Sequence, residues 1–169
     1  MRDAQRSLAE KLIAATAAGD LAAMRDLLRQ GADANGADAQ GFTPLMLAAY
    51  HWQIKGDFAA GVRLLLDARA DVAAANAAGH TALMIAAIYG LTGMAEMLVA
   101  AGADPAKKSA GRLTAEDMAL RNGHEEVAAL LRQAAAERRL RAGTEGGIAR
   151  LRENLKARAR HLKKTGFGF

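Results

Sequence analysis

The stretch Gly79-His80-Thr81-Ala82-Leu83-Met84-Ile85-Ala86-Ala87 restates, with small changes, Gly41-Phe42-Thr43-Pro44-Leu45-Met46-Leu47-Ala48-Ala49. A third, more polar version opens at Thr114-Ala115-Glu116. Ten residues before each Thr lies the Asp of a second phrase: Gly31-Ala32-Asp33, Arg69-Ala70-Asp71 and Gly102-Ala103-Asp104. Thr81 to Thr114 is 33 residues, and so is Asp71 to Asp104. Two independent landmarks with one period identify an internal repeat, and a repeat of this length implies stacked units.

Each unit has the same physical reading. The Thr begins a short helix, its hydroxyl placed to accept an early helical N–H. Leu45, Ala48 and Ala49 return as Leu83, Ala86 and Ala87, and the small alanines let neighbouring helices approach closely. Gly90 and Gly123 stand where the first helix should end in a left-handed residue. A second helix follows, with paired apolar residues near its end: Leu27-Leu28, Leu65-Leu66, Leu98-Val99 and Leu130-Leu131. The Gly-Ala-Asp turn then leads to an extended loop. One such hairpin cannot bury its apolar face alone, but a stack of them can.

GFTPLMLAA, GHTALMIAA and the LL-x-x-GAD endings resemble the ankyrin repeat. The resemblance spans about residues 7–137 and implies an all-α solenoid of stacked helix-turn-helix units with β-turn fingers. The expected units are 7–36, 37–74, 75–107 and 108–137 within an ankyrin-repeat domain over 1–137. The first keeps Glu10, Leu12, Ala15, Gly19, Leu27 and Leu28 in register but lacks the Thr-Pro-Leu start, which suits a cap. The fourth carries Glu116, Asp117 and Arg121, which suits a closing unit. The family often has His after Thr-Pro-Leu. Here Met46, Met84 and Asp117 stand instead, so the associated hydrogen bond is expected to be absent.

Two places break the pattern. Thr43 to Asp71 spans 28 residues against 23 from Thr81 to Asp104, so five extra residues lie near Tyr50–Phe58. Phe42, Tyr50, Trp52 and Phe58 are four of the seven aromatic residues, and Trp52 is the sole Trp. This cluster reads either as a buried plug in the inter-helix turn or as a binding anchor, since Trp and Tyr supply large contact area at low entropic cost. The second break follows Leu131, where Ala135-Ala136-Glu137 replaces a Gly-Ala-Asp turn. The helix is expected to run through Arg141, to end at Gly143, and to hinge at Gly146-Gly147. Residues 138–169 then form a basic extension. Ile148, Leu151, Leu155, Ala159 and Leu162 recur at steps of three and four, an amphipathic helix whose basic residues are Arg150, Arg152, Lys156, Arg158, Arg160, Lys163 and Lys164. It reads as a lid on the last repeat, as a docking helix for a partner protein or anionic membrane, or as a contact for nucleic-acid phosphates. The last lacks interleaved aromatics and any recognised motif.

Composition narrows the function. Apolar residues make up 51% and aromatic residues 4%, with two Pro and no Cys. Disulfides and thiolate metal sites are excluded. Net charge is +5, but residues 134–169 hold ten Lys/Arg against three Glu, a net +7, which leaves −2 for the body. No segment has the roughly 18 successive apolar residues of a membrane span. Leu12–Ala18 follows Arg2 and Arg6 as in a secretory leader. Glu10 and Lys11 at its edge, and the match of Leu12 and Ala15 to later units, assign it to the repeat. The expectation is a cytoplasmic protein, periplasmic or secreted only where a leader has been removed. The preference for Arg and Ala over Lys suggests a GC-rich bacterial gene.

Catalytic chemistry is not legible. His51, His80, His124 and His161 fall in different units without metal-ligand spacing. Gly123-His124-Glu125 resembles the family's Gly-His start of the second helix, so His124 reads as a cap. Ser7 and Ser109 lack a nucleophile-elbow context. Asp33, Asp71 and Asp104 are regular turn residues. The expectation is a non-enzyme without cofactor or metal, working as a scaffold that binds another protein. The alternative is a repeat platform whose basic helix binds an acidic protein, a membrane surface or nucleic acid. The resemblance implies a concave face of fingers and first helices. It places Gln40, Phe42, Ala78, His80, Arg112 and Leu113 on fingers. It places Leu47, Tyr50, His51, Ile85, Ile88, Tyr89, Met118, Arg121 and Asn122 at exposed first-helix positions. Phe42, Tyr50, Ile88 and Tyr89 form a candidate apolar-aromatic strip, with Trp52, His51, His80, Leu113 and Arg121 around it. Ile85, Ile88 and Tyr89 have the competing reading of packing between units.

Overall fold

The computed structural model describes residues 2–51 and 58–164, with side-chain surroundings for 6–50 and 59–147. Within them the chain forms eight helices and no strand. In order they are α1 (Arg2–Ala18), α2 (Leu21–Arg29), α3 (Pro44–His51), α4 (Phe58–Asp67), α5 (Ala82–Ile88), α6 (Thr92–Ala100), α7 (Ala115–Arg121) and α8 (Glu125–Lys164). The chain divides into a unit over Met1–Gln133 and a second that begins at Ala134.

In the first unit the helices form two layers. First helices stack in the order α1, α3, α5, α7, and second helices in the order α2, α4, α6. The repeated residues make the interfaces. Leu12, Leu45 and Leu83 are at most 1% exposed, and Ala48, Ala49, Ala86, Ala87 and Ala119 are fully buried. Val62, Leu65, Leu98, Val127 and Leu131 fill the second layer. Alanine contributes little area per residue, so this core depends on close backbone approach repeated from unit to unit.

Local chemistry sets the helix starts. Thr43, Thr81 and Thr114 accept the N–H of Met46, Met84 and Asp117 at 3.4, 3.3 and 3.2 Å. Each cap is worth about 1 kcal/mol. Asp33, Asp71 and Asp104 are turn residues: each carboxylate accepts the N–H two positions on, at 2.8–3.0 Å.

Three expectations are corrected. The hydrogen bond tied to the family's His has a counterpart in the fourth unit. There the Asp117 carboxylate accepts from both the N–H and the hydroxyl of Thr114 at 2.8 Å, a closed capping box. Met46 and Met84, by contrast, are buried apolar fillers. The helix does not end at Gly143, and Gly146-Gly147 is not a hinge, because α8 continues to Lys164. None of the three takes a positive φ. Glycine costs a helix about 1 kcal/mol but ends it only where the chain turns left-handed, and the Thr144 hydroxyl donates back to the Leu140 and Arg141 carbonyls. Finally, Leu47, Ile85 and Met118 are not exposed: they are 8, 3 and 4% accessible and belong to the core.

Trp52 lies outside the described residues. So do the side chains of His51 and Phe58, and those of Arg150, Arg152, Lys156, Arg158, Arg160, Lys163 and Lys164.

Candidate binding face

Three loops between the helix pairs adopt one fold. In each, a residue at the base donates its N–H to the carbonyl four positions on and accepts the N–H three positions on. The pairs are Asp38 with Phe42 and Gly41, Asn76 with His80 and Gly79, and Ser109 with Leu113 and Arg112. The base side chain pins the tip. Asp38 accepts from Gln40 and Phe42, Asn76 from Ala78 and His80, and Ser109 from Leu113. These are the fingers. Phe42, His80 and Leu113 therefore hold one structural position in three successive fingers, and all three are half-buried.

The fingers are tied side by side. The Ala77 N–H donates to the Gln40 carbonyl at 3.3 Å, and the Ala110 N–H to the Ala78 carbonyl at 3.1 Å. Gly79 is required here. Its φ is +73°, and a Cβ would sit 2.6 Å from the Ala110 nitrogen of the next finger. Arg112 holds the same place in the third finger with φ +61°. Among the described residues no further finger follows it, and its side chain is exposed.

A second row lies on the first helices. Tyr50, Ile88 and Arg121 occupy one register position on α3, α5 and α7, and His51, Tyr89 and Asn122 occupy the next. Three of the predicted residues meet. The rings of Phe42 and Tyr50 are 6.5 Å apart at 67°, and those of Tyr50 and Tyr89 are 5.6 Å apart at 80°. Both are edge-to-face pairs. Tyr50 remains 49% exposed, whereas Phe42, Ile88 and Tyr89 are half-buried against the core. Ile88 and Tyr89 thus pack against the core and remain partly accessible. Burial, the neighbouring Tyr50 phenol and a hydrogen bond between the two phenols hold the Tyr89 pKa above the ordinary tyrosine value. Arg121 is exposed at the end of α7.

A family model described as ankyrin repeats (3 copies) matches residues 12–109 and 62–141. This chain belongs to the ankyrin-repeat family. A comparison with curated proteins found no match. Ankyrin repeats are generally protein–protein interaction modules and typically not enzymes. Among the described residues of this ankyrin protein no group of three or more His, Asp or Glu is placed to hold a metal, and no helix is long and apolar enough to cross a membrane.

Two ties between ankyrin units escaped the sequence reading. His124 opens α8, but its ring lies over Gly90 of the preceding unit, 2.5 Å from where a Cβ would be. Its Nε2–H donates to the Ile88 carbonyl at 3.0 Å. This bond anchors the end of α5, beside Tyr89. Asn35 reaches the next unit, accepting the Asp71 N–H at 2.6 Å and donating to the Arg69 carbonyl. Each bridges positions 34 to 36 apart, about one repeat, and that spacing was the available signal.

Proposed function

We propose that this ankyrin protein is a scaffold that binds a partner protein on its concave finger and first-helix face, with Phe42, Tyr50 and Tyr89 at the centre. One observation carries this reading: two successive edge-to-face contacts join a finger to two first helices, and leave Tyr50 about half exposed in the middle. Clustered aromatics with small buried supports are the usual make-up of a binding hot spot. His80, Leu113 and Arg121 would form the margin toward the fourth unit, with His51 and Trp52 at the α3 end. The test is quantitative recovery of bound protein by wild type and by Tyr50→Ala/Tyr89→Ala, both checked as folded by circular dichroism. Loss of a hot-spot pair should lower affinity by about 2 kcal/mol or more. Unchanged recovery overturns the assignment.

A second reading rests on the uninterrupted α8. It carries helix far past the last repeat, through Ala136–Gly147, which are exposed, to Lys164. Its net charge fits an acidic protein, an anionic membrane or nucleic acid. Deleting 144–169 should remove a salt-sensitive interaction and leave the repeats folded.

A further inference from the structure

The finger ribbon has a beginning. Every finger after the first donates an N–H to the finger before it, from Ala77 to Gln40 and from Ala110 to Ala78. Ala39 holds the same place in the first finger, and among the described residues no finger precedes it. Its N–H has no partner among the described residues, and the residue is exposed. α1 stands where the earlier finger would be: with Leu12 in register with Leu83, Ala9 takes the position of His80. The helix does not close the gap. A cleft of about 640 Å³ lies between them, lined on one side by Arg6, Glu10 and Ile13 and on the other by Asp33, Asp38 and Ala39. Gly36 forms its floor against Ala9, where a Cβ would meet the alanine methyl at 2.7 Å.

We propose that this cleft is a docking site for an extended basic peptide segment, which adds to the free edge of the first finger. The backbone supplies direction. A peptide carbonyl at the position of the missing finger would accept the Ala39 N–H, as the Gln40 and Ala78 carbonyls do further along. The side chains supply chemistry. Among the described residues Glu10, Asp33 and Asp38 line the cleft with one cation, Arg6, which already donates to Glu10 at 3.2 Å. The remaining charge is negative and favours Lys or Arg in the segment. Ile13 and Ala9 offer a small apolar wall to the alternate side chain. This cleft shares no lining residue with the aromatic strip, and the proposal stands without it.

The full ¹⁵N-labelled chain is titrated with acetyl-Val-Lys-Val-Arg-Val-amide and, in parallel, with acetyl-Val-Glu-Val-Asp-Val-amide. The basic peptide should shift the amides of Ala9, Ile13, Ala37 and Ala39 and slow exchange of the Ala39 N–H, and the acidic peptide should move none. Ala39→Pro keeps every charge and suits the second position of the turn, but removes the donor. It should weaken binding about tenfold. Ala37→Trp fills the cleft and should weaken binding at least as much. Thermal unfolding checks both variants. Should Ala39→Pro fail to fold, exchange of the Ala39 N–H and the Ala37→Trp result decide. The proposal is overturned by an equal response to the acidic peptide, by shifts centred on Phe42, Tyr50 and Tyr89, by no response to the basic peptide, or by a folded Ala37→Trp protein that binds as wild type does.

Discussion

The third and fourth helix pairs carry one repeat in two settings. α5 has a first helix on either side of it, and α7 has one on a single side. Position by position the residues answer that difference. Met84 is 1% exposed, and Asp117 in its place is exposed and caps its own helix. Ala87 is fully buried, and Leu120 in its place is 47% exposed. Gly79 lies under the next finger, and Arg112 in its place is exposed. Stacking therefore demands small, apolar and conformationally free residues only where a further unit follows. The last unit is released from those demands and becomes polar, as terminal repeats must be to stay soluble.

Exchanging residues between the two pairs should break this contrast, most strongly at the methionine. Met84→Asp places a carboxylate among buried alanines and leucines and should cost about 3–5 kcal/mol. Asp117→Met loses only the capping box, about 1 kcal/mol. Urea unfolding of both variants measures the ratio, and equal losses would show that α5 and α7 do not differ in setting.

A smaller separation is expected at the fingers and alanines. Gly79→Ala meets both the Ala110 backbone and a positive φ and should cost about 2 kcal/mol or more. Arg112→Gly instead relieves a left-handed Arg and should stabilise by up to about 1 kcal/mol, a rise of a few degrees in melting temperature. Ala87→Leu overpacks the α5–α7 interface for about 1–3 kcal/mol, while Leu120→Ala should change stability by less than about 1 kcal/mol. Calorimetry of the four variants would detect any reversal of these signs.

The smallest effect is acid dependence. The backbone N–H and then the hydroxyl of Thr114 hold the Asp117 carboxylate below its usual value. A lowered folded-state pKa contributes stability that is complete above the unfolded value and is lost as pH falls through the folded one. Asp117→Asn should flatten that part of the acid limb of a stability–pH curve, with the slope above the unfolded carboxylate value unchanged. A slope that matches wild type throughout would show that this cap does not couple to folding.

Much of this was legible in the sequence, for physical reasons that differ by residue. The Thr caps, the Asp turns and the left-handed Gly90 and Gly123 act through neighbours a few positions away, so their residue types and spacing disclosed them. Leu47 and Met118 were misplaced outside, and Ile85 was left between an exposed and a packed reading, because a short apolar helix has no face that sequence alone can orient. Their burial depends on helices one unit away. Gly143, Gly146 and Gly147 read as breakers because glycine allows a helix to end, yet nothing at those positions turns the chain. Of the candidate strip, the register gave the rows, but not that Tyr50 would bridge Phe42 and Tyr89.

What the sequence determined by itself was the repeat: its 33-residue period, its caps and its turns, all set by contacts within a few residues. Only the tertiary structure decided the edges. That the Ala39 N–H has no partner among the described residues, that His124 ties α8 to Ile88, and that Arg112 can stand where Gly79 must be glycine all depend on whether another unit lies alongside. Stacking brings together residues about one repeat apart, and no local rule records which neighbour is missing.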